Sequence, residues 1–465
     1  MALLYGRRLT MPKLHESCLL PGGGAVADDV MPVPMMYGGA SSSLTFCNVP
    51  RMVAVSSKKQ QHQGLLRKVS CSSSSASSDA RFPFPLSLSD QEYGGFCLLG
   101  SRGENQALRR QAISSEAATV HSVSDVDALS GIDWENFGFG LRPTDFMYII
   151  KCKRGGEWGK GELQPFGNLE ISPAAAVLNY GQGLFEGLKA YRTADDSILL
   201  FRPEENAMRL NAGADRMSMP SLPVDTFLHA VKQAVLANRR WIPPPGKGSL
   251  YIRPLLIGSG GVLGLAPAPE FTFVIYVSPV GCYFKGGLAP IDLKVESFYH
   301  RAAPGGTGGV KTIGNYAPVL KTQLTAKGKG YSDVLYLDAV ENKYVEEVSS
   351  CNIFMVKDNV ISTPELKGTI LPGVTRKSII ELAHSRGYEV LERPVDVEEL
   401  LVADEVFCTG TAVVVNPVGS ITYESRRVKY NNGEVGKVAQ ELYEALTSIQ
   451  MGHTEDKMGW IVQLN

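Results

Sequence analysis

Along residues 146–281 the apolar positions fall into strand-length runs, FMYIIKC, SILLFRP, SLYIRPLLIG and FTFVIYVSPVG, while PVDTFLHAVKQAVLANRRW repeats them at the spacing of a capped amphipathic helix. The glycine- and proline-rich FKGGLAPID interrupts this texture. A second set follows, with strands expected from LKVESFY, DVLYLDAV and YVEEVSSCNIFMV and helices from TRKSIIELAHSRG and VAQELYEALTSIQ. Strands and helices intermixed in this way give an α+β class. The breaks place an N-terminal domain at 125–283, a linker at 284–290 and a C-terminal domain at 291–465, with the cleft between them the natural place for a ligand. No internal repeat is visible.

Residues 1–124 lack this patterning. Between Met31 and Ser78 there is no Asp or Glu, whereas Arg51, Lys58, Lys59, Arg67 and Lys68 supply positive charge and serines cluster as SSS and CSSSSASS. Such a stretch cannot bury enough apolar surface to fold, and it reads as an organelle transit peptide with a cleavage neighbourhood around Cys71. Proline and glycine in MPVPMMYGGASSS would break the amphipathic helix of a mitochondrial leader, so the chloroplast is the expected destination and the mitochondrion the alternative.

The chain has 465 residues, 44% hydrophobic and 20% charged, with a formal net charge of −1, so no broad basic surface for nucleic acid is expected. No apolar run approaches a membrane span, which leaves small molecules as the expected partners. Of eight cysteines, Cys18, Cys47, Cys71 and Cys97 lie in the leader region and Cys152, Cys282, Cys351 and Cys408 are scattered; with no CxxC and seven dispersed histidines, no metal site is expected. His300, beside Arg301, reads as a loop-entry residue.

Chemistry concentrates at PGGTGGVKTIGNYA, where one lysine, Lys311, ends a run of glycines. Gly305 and Lys311-Thr312 have the spacing of a P-loop, but Val310 stands where that motif needs glycine, HRAAP separates the preceding apolar run from the loop, and Pro318 follows closely. The other chemistry that asks for such a lysine is a Schiff base with pyridoxal phosphate, which also needs an acid for the ring nitrogen and a cup of backbone N–H groups for the phosphate. Glu347 in YVEEVSSCNIF can supply the acid, with strand alternation sending Glu346 to the opposite face. LPGVTRKS sets a turn before a helix whose first amides lie around Val374 and Thr375, and CTGTAVV offers a small-residue turn at Gly410–Ala412.

Together with LNYGQGLFEGLKAY, LFRPEENAMRL, GSLYIRPLLIG, APAPEFTFVIYVSPVGCYF, DVLYLDAVENKYVEEVSSCNIF, GTILPGVTRKSI and ADEVFCTGTAVVVNPVGSI, these pieces run in the order of a known family. From about Gly131 to Asn465 the sequence resembles the branched-chain amino acid aminotransferases, pyridoxal 5′-phosphate enzymes of fold type IV, and among them the plastid forms of plants. The resemblance implies a smaller N-terminal α/β domain, a larger C-terminal pseudo-barrel domain, and a homodimer. It implies that Lys311 tethers the cofactor and moves the substrate proton, that Glu347 pairs with the ring nitrogen, and that Tyr316 approaches the phenolic oxygen. Arg209, Val374, Thr375, Gly410 and Thr411 would hold the phosphate end, and Tyr180, Phe185, Tyr251, Arg253, Tyr283 and Ala412 would meet substrates. Those substrates would be leucine, isoleucine and valine, with 2-oxoglutarate and glutamate as the exchanging pair. Arg253 or tyrosine hydroxyls would greet the distal carboxylate of glutamate; the lesser reading of Arg253, on local sequence alone, is a strand arginine in a structural ion pair. The turn after Lys311 reads Thr312-Ile313-Gly314 where relatives often carry a second glycine, and Val413, Val414 and Val415 follow Ala412 in place of the paired cysteines of some animal relatives, so no thiol switch is expected. A lyase of the same fold acting on a chorismate-derived substrate, a D-amino acid aminotransferase and a noncatalytic protein of this fold stay open on the residues alone.

Overall fold

The computed structural model describes residues 132–134, 137–282 and 287–464; the transit-peptide segment, its four cysteines and Tyr283 lie outside the described residues. The first sheet contains β1 (Phe146–Lys153), β2 (Glu162–Pro165), β3 (Gly183–Phe185), β4 (Leu188–Arg192), β5 (Ile198–Phe201), β6 (Ser249–Gly258) and β7 (Glu270–Val280). Every pairing in it is antiparallel, and the longest is the β6–β7 hairpin, in register from Ser249↔Val280 to Gly258↔Phe271. Period-two alternation explains how β7 is covered on both faces. Phe271, Phe273, Ile275 and Val277 face a core shared with two helices, whereas Val274 and Tyr276 meet Met147, Ile149, Phe166 and Leu169 on the other side.

Between these strands run α1 (Ala176–Tyr180), α2 (Pro203–Arg216) and α3 (Val224–Ala237). The periodic PVDTFLHAVKQAVLANRRW is α3 followed by a short 3₁₀ turn at Arg239–Trp241, and Phe227, Ala230, Val231, Ala234 and Val235 form its buried stripe. No side chain caps its N-terminus; Pro223 stands at the boundary and Asp225 puts an acid in the first turn, where the helix dipole favours one. Periodicity does not find α2, because its buried face is made of Ala207, Leu210, Gly213 and Ala214, too small to write a strong apolar stripe. Its start is nonetheless well specified by Pro203 at the first helical position and by Glu204 and Glu205 in the first turn.

The second sheet contains β8 (Ile291–Glu296), β9 (Asp333–Leu337), β10 (Val345–Val348), β11 (Asn352–Lys357), β12 (Val360–Thr363), β13 (Glu389–Glu392), β14 (Glu405–Gly410), β15 (Val414–Tyr423) and β16 (Arg426–Lys429). Six of these close on themselves in the order β10-β9-β8-β15-β14-β11, the ring being completed by β10–β11, so the fold is α+β with a C-terminal barrel. Closure removes two sheet edges that would otherwise offer unpaired backbone groups. The single apolar run YVEEVSSCNIFMV becomes two strands, β10 and β11, folded back at the intervening serines. Around the barrel lie α4 (Val319–Gly328), α5 (Val374–Ser385), α6 (Val397–Leu401) and α7 (Lys437–Gln450).

The strand β17 (Ile461–Leu464) does not join the barrel. It returns to the first sheet and pairs with β5, from Ile461↔Phe201 to Leu464↔Ile198, covering an exposed edge. We propose that the two sheets be taken as two domains, with β17 contributed to the first across the boundary. Trp460 anchors this return: its carbonyl accepts from Arg202 N at 2.8 Å, its ring lies edge-on to Phe201 at 5.6 Å, and the Arg202 guanidinium sits over it at 4.9 Å. Trp460→Ala removes a buried indole together with these contacts and is expected to cost about 3–5 kcal/mol in a denaturant titration. A loss under about 1 kcal/mol would mean that β17 adds little to the first sheet.

Candidate active site

A cavity of about 430 Å³ lies between the first sheet and the barrel, within the range of about 300–1,000 Å³ usual for small-ligand sites. Phe185, Tyr251 and Arg253 come from the first sheet, Lys311 and Tyr316 from the loop leading to α4, Val348 and Cys351 from the β10–β11 hairpin, and Gly410, Thr411 and Ala412 from the β14–β15 turn.

The glycines before Lys311 serve packing. A Cβ on Gly308 would sit 2.1 Å from the carbonyl oxygen of Thr369 and 2.4 Å from the Ala302 side chain, so only glycine lets the loop lie against residues 368–369. Asn315 closes the loop by donating from Nδ2 to the carbonyls of Thr307 and Val310, both at 2.7 Å. Lys311 itself is tied to β3, its carbonyl accepting from Phe185 N at 3.2 Å while Thr312 Oγ1 donates to Gly183 O at 2.9 Å. No helix begins at the lysine: a 3₁₀ turn occupies Ile313–Asn315 and α4 opens only at Val319, which removes the P-loop geometry.

Lys311 Nζ donates to the Tyr316 hydroxyl at 3.3 Å and lies 4.6 Å from the centre of the Phe185 ring. Loss of hydration lowers its pKa from 10.5 to about 7, with the Arg209 charge pushing the same way and Glu186 opposing. Burial raises the Tyr316 phenol to about 12. Glu347 is not among the cavity-lining residues and is 1% exposed; its Oε1 accepts from Leu371 N at 2.9 Å and faces Arg301 Nη1 at 2.8 Å. Burial raises this carboxyl to about 7, and Arg301 restrains the rise. Glu346 is buried too, as is the whole of β10, and burial also raises its pKa.

Arg209 is held by Glu186 through two bonds, Nε to Oε1 at 2.8 Å and Nη2 to Oε2 at 2.6 Å, and donates from Nη1 to Pro372 O at 3.0 Å. Burial opposes its charge, yet Glu186 prevails and the guanidinium is held above its ordinary value. Glu186 is itself fully buried and also accepts from Asn206 Nδ2 at 2.8 Å. Arg209 and Val374 border a separate cavity of about 700 Å³, and Thr375 lies buried in the first turn of α5, so the structure divides the residues expected around a phosphate between two spaces.

On the substrate side, Arg253 makes no ion pair among the described residues. Its Nη2 donates to the Tyr251 hydroxyl at 3.4 Å, its guanidinium lies 4.9 Å from the centre of the Phe185 ring, and its buried Nε has no partner. Gly187 leaves room for Tyr251, since a Cβ at that position would lie 2.2 Å from its hydroxyl and would make that side chain shift. Thr411 Oγ1 donates to Gly187 O at 3.2 Å. Tyr180 is not among the cavity-lining residues; it ends α1, and its hydroxyl donates to the carbonyl of Leu263. Sequence reasoning overlooked Glu186, Arg301 and Asn315. Glu186 was adjacent to Phe185 in a quoted motif, but nothing local distinguishes a buried, paired acid from a solvated one.

The chain matches the family Amino-transferase class IV over residues 183–421. It is 68% identical over 348 residues to Branched-chain-amino-acid aminotransferase 5, chloroplastic, of Arabidopsis thaliana, an alignment covering 75% of this chain and 84% of that one. Among solved structures, the branched-chain amino acid aminotransferase of Escherichia coli is similar at 31% identity and a TM-score of 0.60, covering 69% of this chain and 100% of the other. A second solved branched-chain amino acid aminotransferase, with pyridoxamine 5′-phosphate, is similar at 29% identity and a TM-score of 0.60, covering 70% of this chain and 100% of the other.

The lowered pKa of Lys311 has a direct test. Below about pH 7 its amine is protonated and unreactive, and above it the free amine predominates, whereas an ordinary lysine stays protonated to about pH 10. Pulse-labelling the cofactor-free protein with an amine-selective acylating reagent, followed by peptide mass spectrometry, is expected to give Lys311 a rate profile with its midpoint near 7. A midpoint in the ordinary lysine range would refute the electrostatic description of the cavity.

Proposed function

The chain belongs to the class IV aminotransferases, and from that premise we propose how its own residues carry out the reaction. It moves the amino group between leucine, isoleucine or valine and 2-oxoglutarate, giving the branched-chain 2-oxo acids and glutamate. The observation that carries the residue assignment is the amine of Lys311, set between Phe185 and Tyr316 with its pKa lowered to about 7.

The residues fit pyridoxal 5′-phosphate: the amine of Lys311 and the phenol of Tyr316 line one cavity with Gly410 and Thr411, Glu347 supplies a buried carboxyl, and Arg209, Val374, Thr375, Gly410 and Thr411 would hold the phosphate. When bound, that cofactor supplies a carbonyl to receive the amino group and a ring that accepts electrons. Glu347 supplies the fixed negative charge that favours a protonated ring nitrogen, and Arg301 and the Leu371 amide hold it in place. Lys311 Nζ, with its pKa near the working pH, can take a proton from the substrate Cα and return it. Phe185 and Tyr251 give the branched side chain an aromatic wall. Arg253, free of any described ion pair, is available for the distal carboxylate of glutamate.

The serine-rich leader, without acids from Met31 to Ser78, together with the chloroplastic relative places the protein in the chloroplast. A homodimer is the assembly we propose, since it would give the exposed Leu263 and Leu265 beside Tyr180 a partner surface to meet.

Protein lacking residues 1–124, assayed with 2-oxoglutarate, is expected to turn over L-leucine and to leave D-alanine and aminodeoxychorismate untouched. Borohydride reduction followed by peptide mapping should place the pyridoxyl group on Lys311, and an adduct on any other lysine would sink the assignment. Glu347→Gln is expected to retain cofactor, seen by absorbance, while kcat falls by about 100-fold or more. Near wild-type turnover at saturating cofactor would shift the role to Glu346.

A further inference from the structure

Lys189 has no part in the chemistry described so far, yet it reaches the centre of the site. It lies on β4 opposite Tyr251 of β6, and its Nζ donates to the carbonyl oxygen of Ala412 at 2.8 Å. The group is part-buried, loss of hydration lowers its pKa to about 8, and no carboxylate pairs with it among the described residues. An ammonium deprived of water and offered a single carbonyl is a costly arrangement for stability alone.

The turn it reaches is strained. Gly410 of β14 pairs with Val414 of β15, leaving Thr411–Val413 as a three-residue connection. Val414, where the second strand begins, has φ +60°, a region that a β-branched side chain strongly disfavours. Two contacts from one strip of the first sheet restrain this connection: Thr411 Oγ1 donates to Gly187 O at 3.2 Å, and Lys189 Nζ donates to Ala412 O.

We propose that Lys189 is a positioning residue, clamping the Thr411–Ala412 turn in its strained form so that the turn is already shaped when substrate arrives. The inference rests on the reading of that turn as substrate-facing. Preorganisation of this kind appears mainly in KM, because the ordering cost is met before binding.

The test uses the holoenzyme with Lys189→Met, Val414→Gly and the two combined. Lys189→Met is expected to raise KM for leucine and 2-oxoglutarate about tenfold, with kcat changed by less than about threefold. In the cofactor-free protein, the same substitution should speed amide hydrogen exchange of residues 410–415, a readout that needs no substrate. With glycine at 414 the turn no longer needs restraint, so the double variant should recover a KM within about threefold of the parent. Val414 is also buried in the core with Phe354, Phe407 and Leu442, so Val414→Gly trades relief of strain against a lost side chain and its melting temperature does not bear on the clamp; should Lys189→Met fail to fold, Lys189→Gln takes its place in the exchange and KM measurements. Unchanged exchange in Lys189→Met overturns the clamp. Faster exchange with unchanged KM also overturns the proposal, and locates the fault in the substrate-facing reading of the turn. A tenfold KM penalty that persists in the double variant removes the link to strain.

Discussion

The site is organised around the ion pair between Glu186 and Arg209. Glu186 is fully buried, so its charge is sustainable only because Arg209 meets both carboxylate oxygens and Asn206 adds a further donor. Breaking such a pair by removing one partner typically costs about 3–5 kcal/mol, since it strands the other charge. The pair also fixes positions: Arg209 extends from α2 to Pro372, just ahead of α5, while Glu186 lies between Phe185, whose ring faces Lys311, and Gly187, whose carbonyl receives Thr411. Residues 185–189 thus touch the lysine, the arginine and the β14–β15 turn in a span shorter than two helical turns.

The same pair bears on the reactivity of the lysine. Arg209 lowers the pKa of Lys311 and Glu186 raises it, and the net effect follows from loss of hydration acting together with the guanidinium. Glu347, raised by its own burial to about 7, is similarly balanced by Arg301. Two groups of opposite type therefore titrate close together, each shifted chiefly by loss of hydration and then adjusted by an arginine neighbour that lies far away in sequence.

Much of this was legible in the sequence because it depends on local pattern. The strands β6 and β7 and the helices α3, α5 and α7 carry their periodicity openly, and the Lys311 loop announces itself by glycines at positions where Gly308 indeed leaves no room for a Cβ. What was not legible depends on long-range placement. No local signal says that Arg301 lies against Glu347, that Glu186 is inside the protein, or that the small residues of α2 form a buried face. Strand alternation puts Glu346 on the opposite face from Glu347, but carries no sign that both are buried. Closure of the barrel through β10–β11 is likewise a property of how distant strands meet.

The return of β17 to the first sheet sets an order on synthesis. Its partner β5 emerges from the ribosome well before the barrel, but the strand that covers the β5 edge is made only after β8–β16. A nascent first sheet must therefore wait with one edge unpaired while the barrel is translated, and such an edge is a template for wrong partners. Final closure joins Phe201 to Ile461, a long loop whose entropy must be overcome after the local elements have formed. Chaperone dependence in this protein should accordingly centre on the interval between emergence of β5 and docking of Trp460.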